Sequence, residues 1–183
     1  MSLILIYQMD PMEKQETLLS IAKDLDLEVK EISQGEVHQK VGALVGLEGY
    51  KKTDEKGDLS RAPESEMVLF ANVERQKIYD TIDRLREEGY TIPHKAALTR
   101  TTQDWTFRML VNHIEQENKT VRAYTRLISR VKKAEVLQVK VEDKELQKAI
   151  EAAYALRDLG EDLSERNIRE VQVQLDEAMA KHV

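Results

Sequence analysis

Met67-Val-Leu-Phe-Ala71, followed further on by Lys95-Ala-Ala-Leu-Thr99 and the loop Arg100-Thr-Thr-Gln-Asp-Trp105, decides how this chain is read. Five apolar residues in a row make a strand covered on both faces. Ile78, Ile82 and Leu85 then recur at helical spacing, and Glu88-Gly89-Tyr90 supplies the stop. Lys95–Thr99 reads as a second strand that delivers a threonine-rich turn to another helix start. Strand, helix and strand in this order predict a βαβ unit with a right-handed crossover.

Working outward, the same pattern precedes it. Leu3-Ile-Leu-Ile-Tyr7 is a strand, and Leu18, Ile21, Ala22 and Leu25 mark one helix face. Leu27-Glu-Val-Lys-Glu-Ile32 alternates as a half-buried strand does. Asp10, Pro11 and Glu13 give helix-start signals: a cap, a first-turn proline and a capping-box acid. The two halves correspond at an offset of about sixty residues, with Asn72 in the capping place of Asp10, which predicts a duplication. Between them, Gly35 to Gly49 carries Val37, Val41, Leu44 and Val45 at helical spacing, and Gly42 and Gly46 would let that helix lie close to a neighbour. Residues 51–66 are charged and aperiodic, a surface loop and boundary.

After Trp105 the pattern Phe107, Leu110, Val111, Ile114 can be carried as heptads through Val121, Tyr124, Ile128 and Val131, or broken at Glu117-Asn-Lys-Thr120. Val136–Val141 is open between a strand and a helical connection. Asp143–Leu159 and Ser164–Lys181 read as two helices, with Gly160 stopping the first and Ser164 capping the second, an αα-hairpin. The expected architecture is therefore α/β: two duplicated βαβ-type halves (1–50 and 67–117) share a small sheet and are joined by 51–66. A helical region, 118–183, ends the chain. A ferredoxin-like interleaving of the halves is one strand order compatible with this.

Composition bounds the function. The chain has 183 residues, net charge −6 and no cysteine, which removes disulfides and thiolate metal sites. No apolar run reaches the roughly 18–20 residues of a membrane span, and Met1–Tyr7 lacks the basic flank and cleavage site of a signal peptide. A cytoplasmic protein is expected. Charge is segregated: residues 119–141 hold seven basic residues and one acidic, whereas 142–183 hold six and eleven.

The signature Ala97-Leu-Thr-Arg-Thr-Thr-Gln-Asp-Trp-Thr106, with the strand Met67–Phe70 and the helix end Leu85-Arg-Glu-Glu-Gly89, resembles a small bacterial and archaeal family of unknown function, numbered 3783. In that family the loop usually reads Thr-Pro-Thr-Asn, two residues, then Trp. Thr99, Thr101 and Trp105 match, while Arg100 and Thr102 replace the proline and asparagine. The resemblance brings no activity with it.

Thr99, Arg100, Thr101, Thr102 and Trp105 form the candidate ligand site, because a loop entering a helix N-terminus can offer free N–H groups to an anion or phosphate. The structural alternative is that Thr101 caps the helix, Asp104 completes the box and Trp105 packs on the sheet. Arg122, Arg126 and Arg130 lie at i, i+4, i+8 and are the candidate interaction surface. The four histidines are scattered, and no nucleophile elbow or carboxylate pair suggests catalysis. No cofactor or metal is expected. The leading reading is a non-catalytic interaction protein that self-associates through its C-terminal helices, with a homo-oligomer or a protein as partner. A small-anion enzyme at the Thr99–Trp105 loop is the alternative. Nucleic-acid binding by the basic helix is weaker still, since aromatic side chains for stacking are scarce beside it.

Overall fold

Alternation along two fully buried strands builds the first part of the molecule. The computed structural model describes residues 2–55 and 57–182. In β1 (Leu3–Tyr7) and β3 (Met67–Ala71) every residue is buried. Successive side chains of a strand point to opposite faces, so Leu3, Leu5, Tyr7, Met67, Leu69 and Ala71 enter one apolar cluster. Ile4, Ile6, Val68 and Phe70 enter the other. Helices α1 (Met12–Asp24) and α3 (Arg75–Glu87) cover the second face with Leu18, Ile21, Ala22 and Leu85. The first face is covered by Ile32, Val37, Val41 and Leu44, and by Phe107, Leu110 and Val111 from the start of α4 (Phe107–Val141).

The sheet order is β2-β1-β3-β4, with β2 (Glu28–Glu31) parallel to β1, β4 (Lys95–Ala97) parallel to β3, and β1 antiparallel to β3. A ferredoxin-like sheet would place a strand of one half between the two strands of the other. Here each half keeps its strands adjacent, so that expectation is corrected. Both outer strands carry charge, Glu28, Lys30 and Glu31 on one and Lys95 on the other, which discourages pairing with another edge.

The halves match closely in local geometry. Both α1 and α3 have thirteen residues. Gln8 and Asn72, each directly after its strand, have positive φ of 49° and 55°. At the helix ends the N–H groups of Leu25, Asp26 and Leu27 donate to Ile21, Lys23 and Ala22, and those of Glu88, Gly89 and Tyr90 donate to Arg84, Arg86 and Leu85 in the same pattern. Aligned this way, Leu18 meets Thr81 and Ala22 meets Leu85. Asn72 is the counterpart of Gln8 rather than of a cap. Asp10 does not cap either: the N-cap positions are Pro11 and Glu74, and neither makes a side-chain cap bond.

The segment expected to be a helix from Gly35 to Gly49 is mostly not one. A 3-10 turn covers Gln34–Glu36, and α2 (Val41–Leu44) is a single turn. Residues 37–41 are held by the start of α4, as described below. A Cβ on Gly42 would lie 2.6 Å from the Tyr50 ring, so this glycine admits an aromatic side chain, not a second helix. Gly46 sits in a turn at φ 72°. The 51–66 segment is tied down at several points. Gln39, 5% exposed, accepts the Thr53 N–H and donates to the Thr53 carbonyl, both at 2.8 Å. The Tyr7 hydroxyl donates to the Pro63 carbonyl at 2.6 Å.

The chain divides into two compact units, one ending at Glu115 and the other beginning at Gln116. The second contains the rest of α4, α5 (Lys144–Ala155) and α6 (Glu165–Ala180), around Leu127, Val131, Leu146, Ile150, Ile168 and Leu175. Asp143 caps α5 and Ser164 caps α6 through their side chains, and Gly160 turns the chain between them at φ 54°. No helix among the described residues is long and apolar enough to cross a membrane.

Candidate functional site

Thr99 and Thr102 close the threonine loop on itself. The Thr102 N–H donates to Thr99 Oγ1 at 3.1 Å, and the Thr99 N–H donates to Thr102 Oγ1 at 3.0 Å. This reciprocal pair introduces the 3-10 turn Thr102–Asp104. Thr101 makes no side-chain cap bond there, which corrects its expected role as a cap. Asp104 completes no box: its carboxylate accepts the Tyr50 hydroxyl at 2.6 Å, and that bond raises the Tyr50 phenol above its ordinary range. Trp105 is half-buried against the sheet and edge-on to His113, 5.0 Å between ring centres. Arg100 is exposed.

An anion seat at the start of α4 needs unspent N–H groups. They are spent. Phe107 donates to the Gln39 carbonyl at 2.9 Å, Arg108 to the Val37 carbonyl at 2.8 Å, and Met109 to Thr106 Oγ1 at 3.2 Å. Trp105 in turn accepts the Val41 N–H at 2.9 Å, and Lys40 bridges to Thr106. Chain 37–41 and Thr106 thus take up the first donors of α4. These carbonyls are backbone groups with no residue signature, which is why the sequence does not disclose them.

The second candidate surface lies on α4 after Gln116. The helix runs unbroken to Val141, so Glu117–Thr120 does not interrupt it and Val136–Val141 is helical rather than a strand. The inward row is Tyr124, Leu127, Val131, Ala134, Leu137 and Val141. The expected heptad Val121, Tyr124, Ile128, Val131 mixes two rows: Tyr124 and Val131 belong to the inward one, whereas Val121 and half-buried Ile128 belong to a second row turned away from it. Val121 is 61% exposed, Val136 62% and Val139 83%, with Thr125, Ile128 and Lys132 filling the i, i+3 and i+4 positions between them. At about 100° per residue, Arg122, Arg126, Lys133 and Lys140 fall on one shoulder of this row.

The three arginines fare differently. Arg130 pairs with Asp176 on α6 at 2.6 Å and is committed within the fold. Arg122 and Arg126 are exposed and make no ion pair among the described residues. Arg126 also borders an open groove of about 980 Å³ beside α6, lined by Ala123, Ile168, Arg169 and Val173.

Residues 66–121 match the family described as Domain of unknown function (DUF3783). The DUF3783 match takes in β3, α3, β4, the threonine loop and the start of α4 up to Val121. Val136, Val139 and all four residues of the basic shoulder lie beyond it, as do β1, α1 and β2. Comparison with curated proteins and with solved structures gave no match.

Three other titratable groups have polar partners within the fold. Glu36 is held down to about 2 by the Lys52 ammonium, 2.5 Å away, with help from Ser33, against the opposing effect of burial. His38 Nε2 lies 2.9 Å from the Gln39 carboxamide nitrogen, and His182 lies 2.9 Å from Asp143. Among the described residues no group of three or more His, Asp or Glu side chains converges as a metal site would require.

Proposed function

We propose that this protein is a non-catalytic interaction protein that self-associates through its C-terminal helices. The observation that carries the reading is the outward row of α4, where three valines more than 60% exposed lie beside cations that make no ion pair among the described residues. Isolated exposed apolar residues are ordinary. A row of them along about 27 Å of helix, with cations on one shoulder and only Glu117 and Glu135 on the other, has the composition of an interaction face. Arg122 and Arg126 belong to that face; Arg130 does not. The acidic excess of residues 142–183 gives a second copy of the chain a surface of opposite sign.

The matching helix lengths, left-handed residues and helix ends of the two βαβ halves support reading 1–50 and 67–117 as an internal duplication joined by 51–66. The caps on α5 and α6 and the Gly160 turn support reading them as an αα-hairpin. Light scattering on the purified chain at high concentration in moderate salt tests the function. A molar mass above one chain supports it, and a monomer contradicts it.

A further inference from the structure

Resting on that self-association reading, we infer which two surfaces meet: the outward row of α4 in one copy receives the acidic turn Asp158–Asp162 of another. The turn follows α5 as a 3-10 segment, Leu156–Asp162, reversed at Gly160. Asp158, Glu161 and Asp162 are exposed and make no ion pair among the described residues, and Leu159 stands among them 39% exposed. It is an apolar residue in a turn that carries three carboxylates and one cation, Arg157. The α4 row is its counterpart, apolar side chains with cations on one shoulder, where Arg122, Arg126, Lys133 and Lys140 are likewise unpaired.

The pairing follows from charge. A face carrying Lys132 in its middle, four cations on one shoulder and only Glu117 and Glu135 on the other keeps a net positive charge. It would repel a second copy of itself, since like charges brought together at an interface oppose binding. The acidic turn is attracted to it. Leu159 inserted between Val136 and Val139 would remove apolar surface from water on both sides. The ionic part of the contact weakens as salt shortens the screening length from about 10 Å at 0.1 M to about 3 Å at 1 M, while the apolar part persists.

Charge reversal on the full chain tests this. One variant carries Arg122→Glu, Lys133→Glu and Lys140→Glu; the other carries Asp158→Lys, Glu161→Lys and Asp162→Lys. All six positions are exposed, so both variants should keep the wild-type thermal melt. If one does not, a neutral set with Gln or Asn at the same positions replaces it. In sedimentation velocity each variant alone should associate at least tenfold more weakly than wild type. An equimolar mixture should recover association, because the reversed helix of one now faces the reversed turn of the other. If the turn variant alone associates as wild type does, this pairing is wrong while self-association stands. If wild type itself is a monomer, both readings fall together.

Discussion

Leu5 and Leu69 stand opposite each other at the middle of the antiparallel pairing of β1 and β3, both fully buried and in one apolar cluster. The pairing runs evenly to either side of them: Leu3 meets Ala71 on one side and Tyr7 meets Met67 on the other. Leu69→Ala and Leu5→Ala should each cost about 2–5 kcal/mol, because the removed methyl groups leave a cavity between packed layers. Urea unfolding followed by Trp105 fluorescence measures this. A loss under about 1 kcal/mol would mean that the face relaxes around the gap.

The threonine loop separates three residues that look alike in sequence. Thr102→Val removes the hydroxyl that accepts the Thr99 N–H and should destabilise by about 1 kcal/mol, the usual net worth of such a hydrogen bond. Thr101→Val should change stability by less than about 0.5 kcal/mol, since its side chain caps nothing. Equal effects in denaturant titrations of the two variants would contradict the assignment.

Glu36 and Lys52 give an acid dependence of known sign. The carboxyl lies at about 2 in the folded chain against an ordinary 4.5, so the pair stabilises the fold above the ordinary carboxylate range. That contribution fades as pH falls through about 2. Lys52 is 44% exposed, so solvent screening limits the pair to about 1 kcal/mol or less. Lys52→Gln should melt below wild type near neutral pH, and the gap should close on acidification. A gap that widens in acid would reverse the sign and refute it.

Gly42 and Tyr50 predict a spectroscopic change. Gly42→Ala drives a methyl to within 2.6 Å of the Tyr50 ring, which must move and release its hydroxyl from Asp104. The cost should be about 1–3 kcal/mol, as for other overpacked sites. The Tyr50 phenol, raised chiefly by the Asp104 hydrogen bond, should then titrate at lower pH. Ultraviolet titration compared with Asp104→Asn checks it: both variants should shift the same phenol the same way.

Much of the fold is legible in residue pattern. The runs Leu3–Tyr7 and Met67–Ala71 read as buried strands because every position is apolar, and the structure buries every one. The strand order is not readable, because the long segment from Ser33 to Glu66 allows several. Within that segment the valines at 37 and 41 have helical spacing, yet their backbone serves the start of α4 through groups common to all residues. The same contacts spend the donors that make Thr99–Trp105 look like an anion seat. On α4, two apolar rows overlap at three- and four-residue spacing. A heptad drawn through both Val121 and Val131 mixes an exposed position with a buried one. Separating them requires recognising that Val121, Ile128, Val136 and Val139 form a row of their own.

Self-association through the C-terminal helices is tested most directly by sedimentation velocity on the wild-type chain, over a concentration series at low and at high salt. A mass above one chain that grows with concentration, and recedes as salt screens the basic shoulder of α4, is the predicted result. The mass of one chain at every concentration in low salt would contradict it.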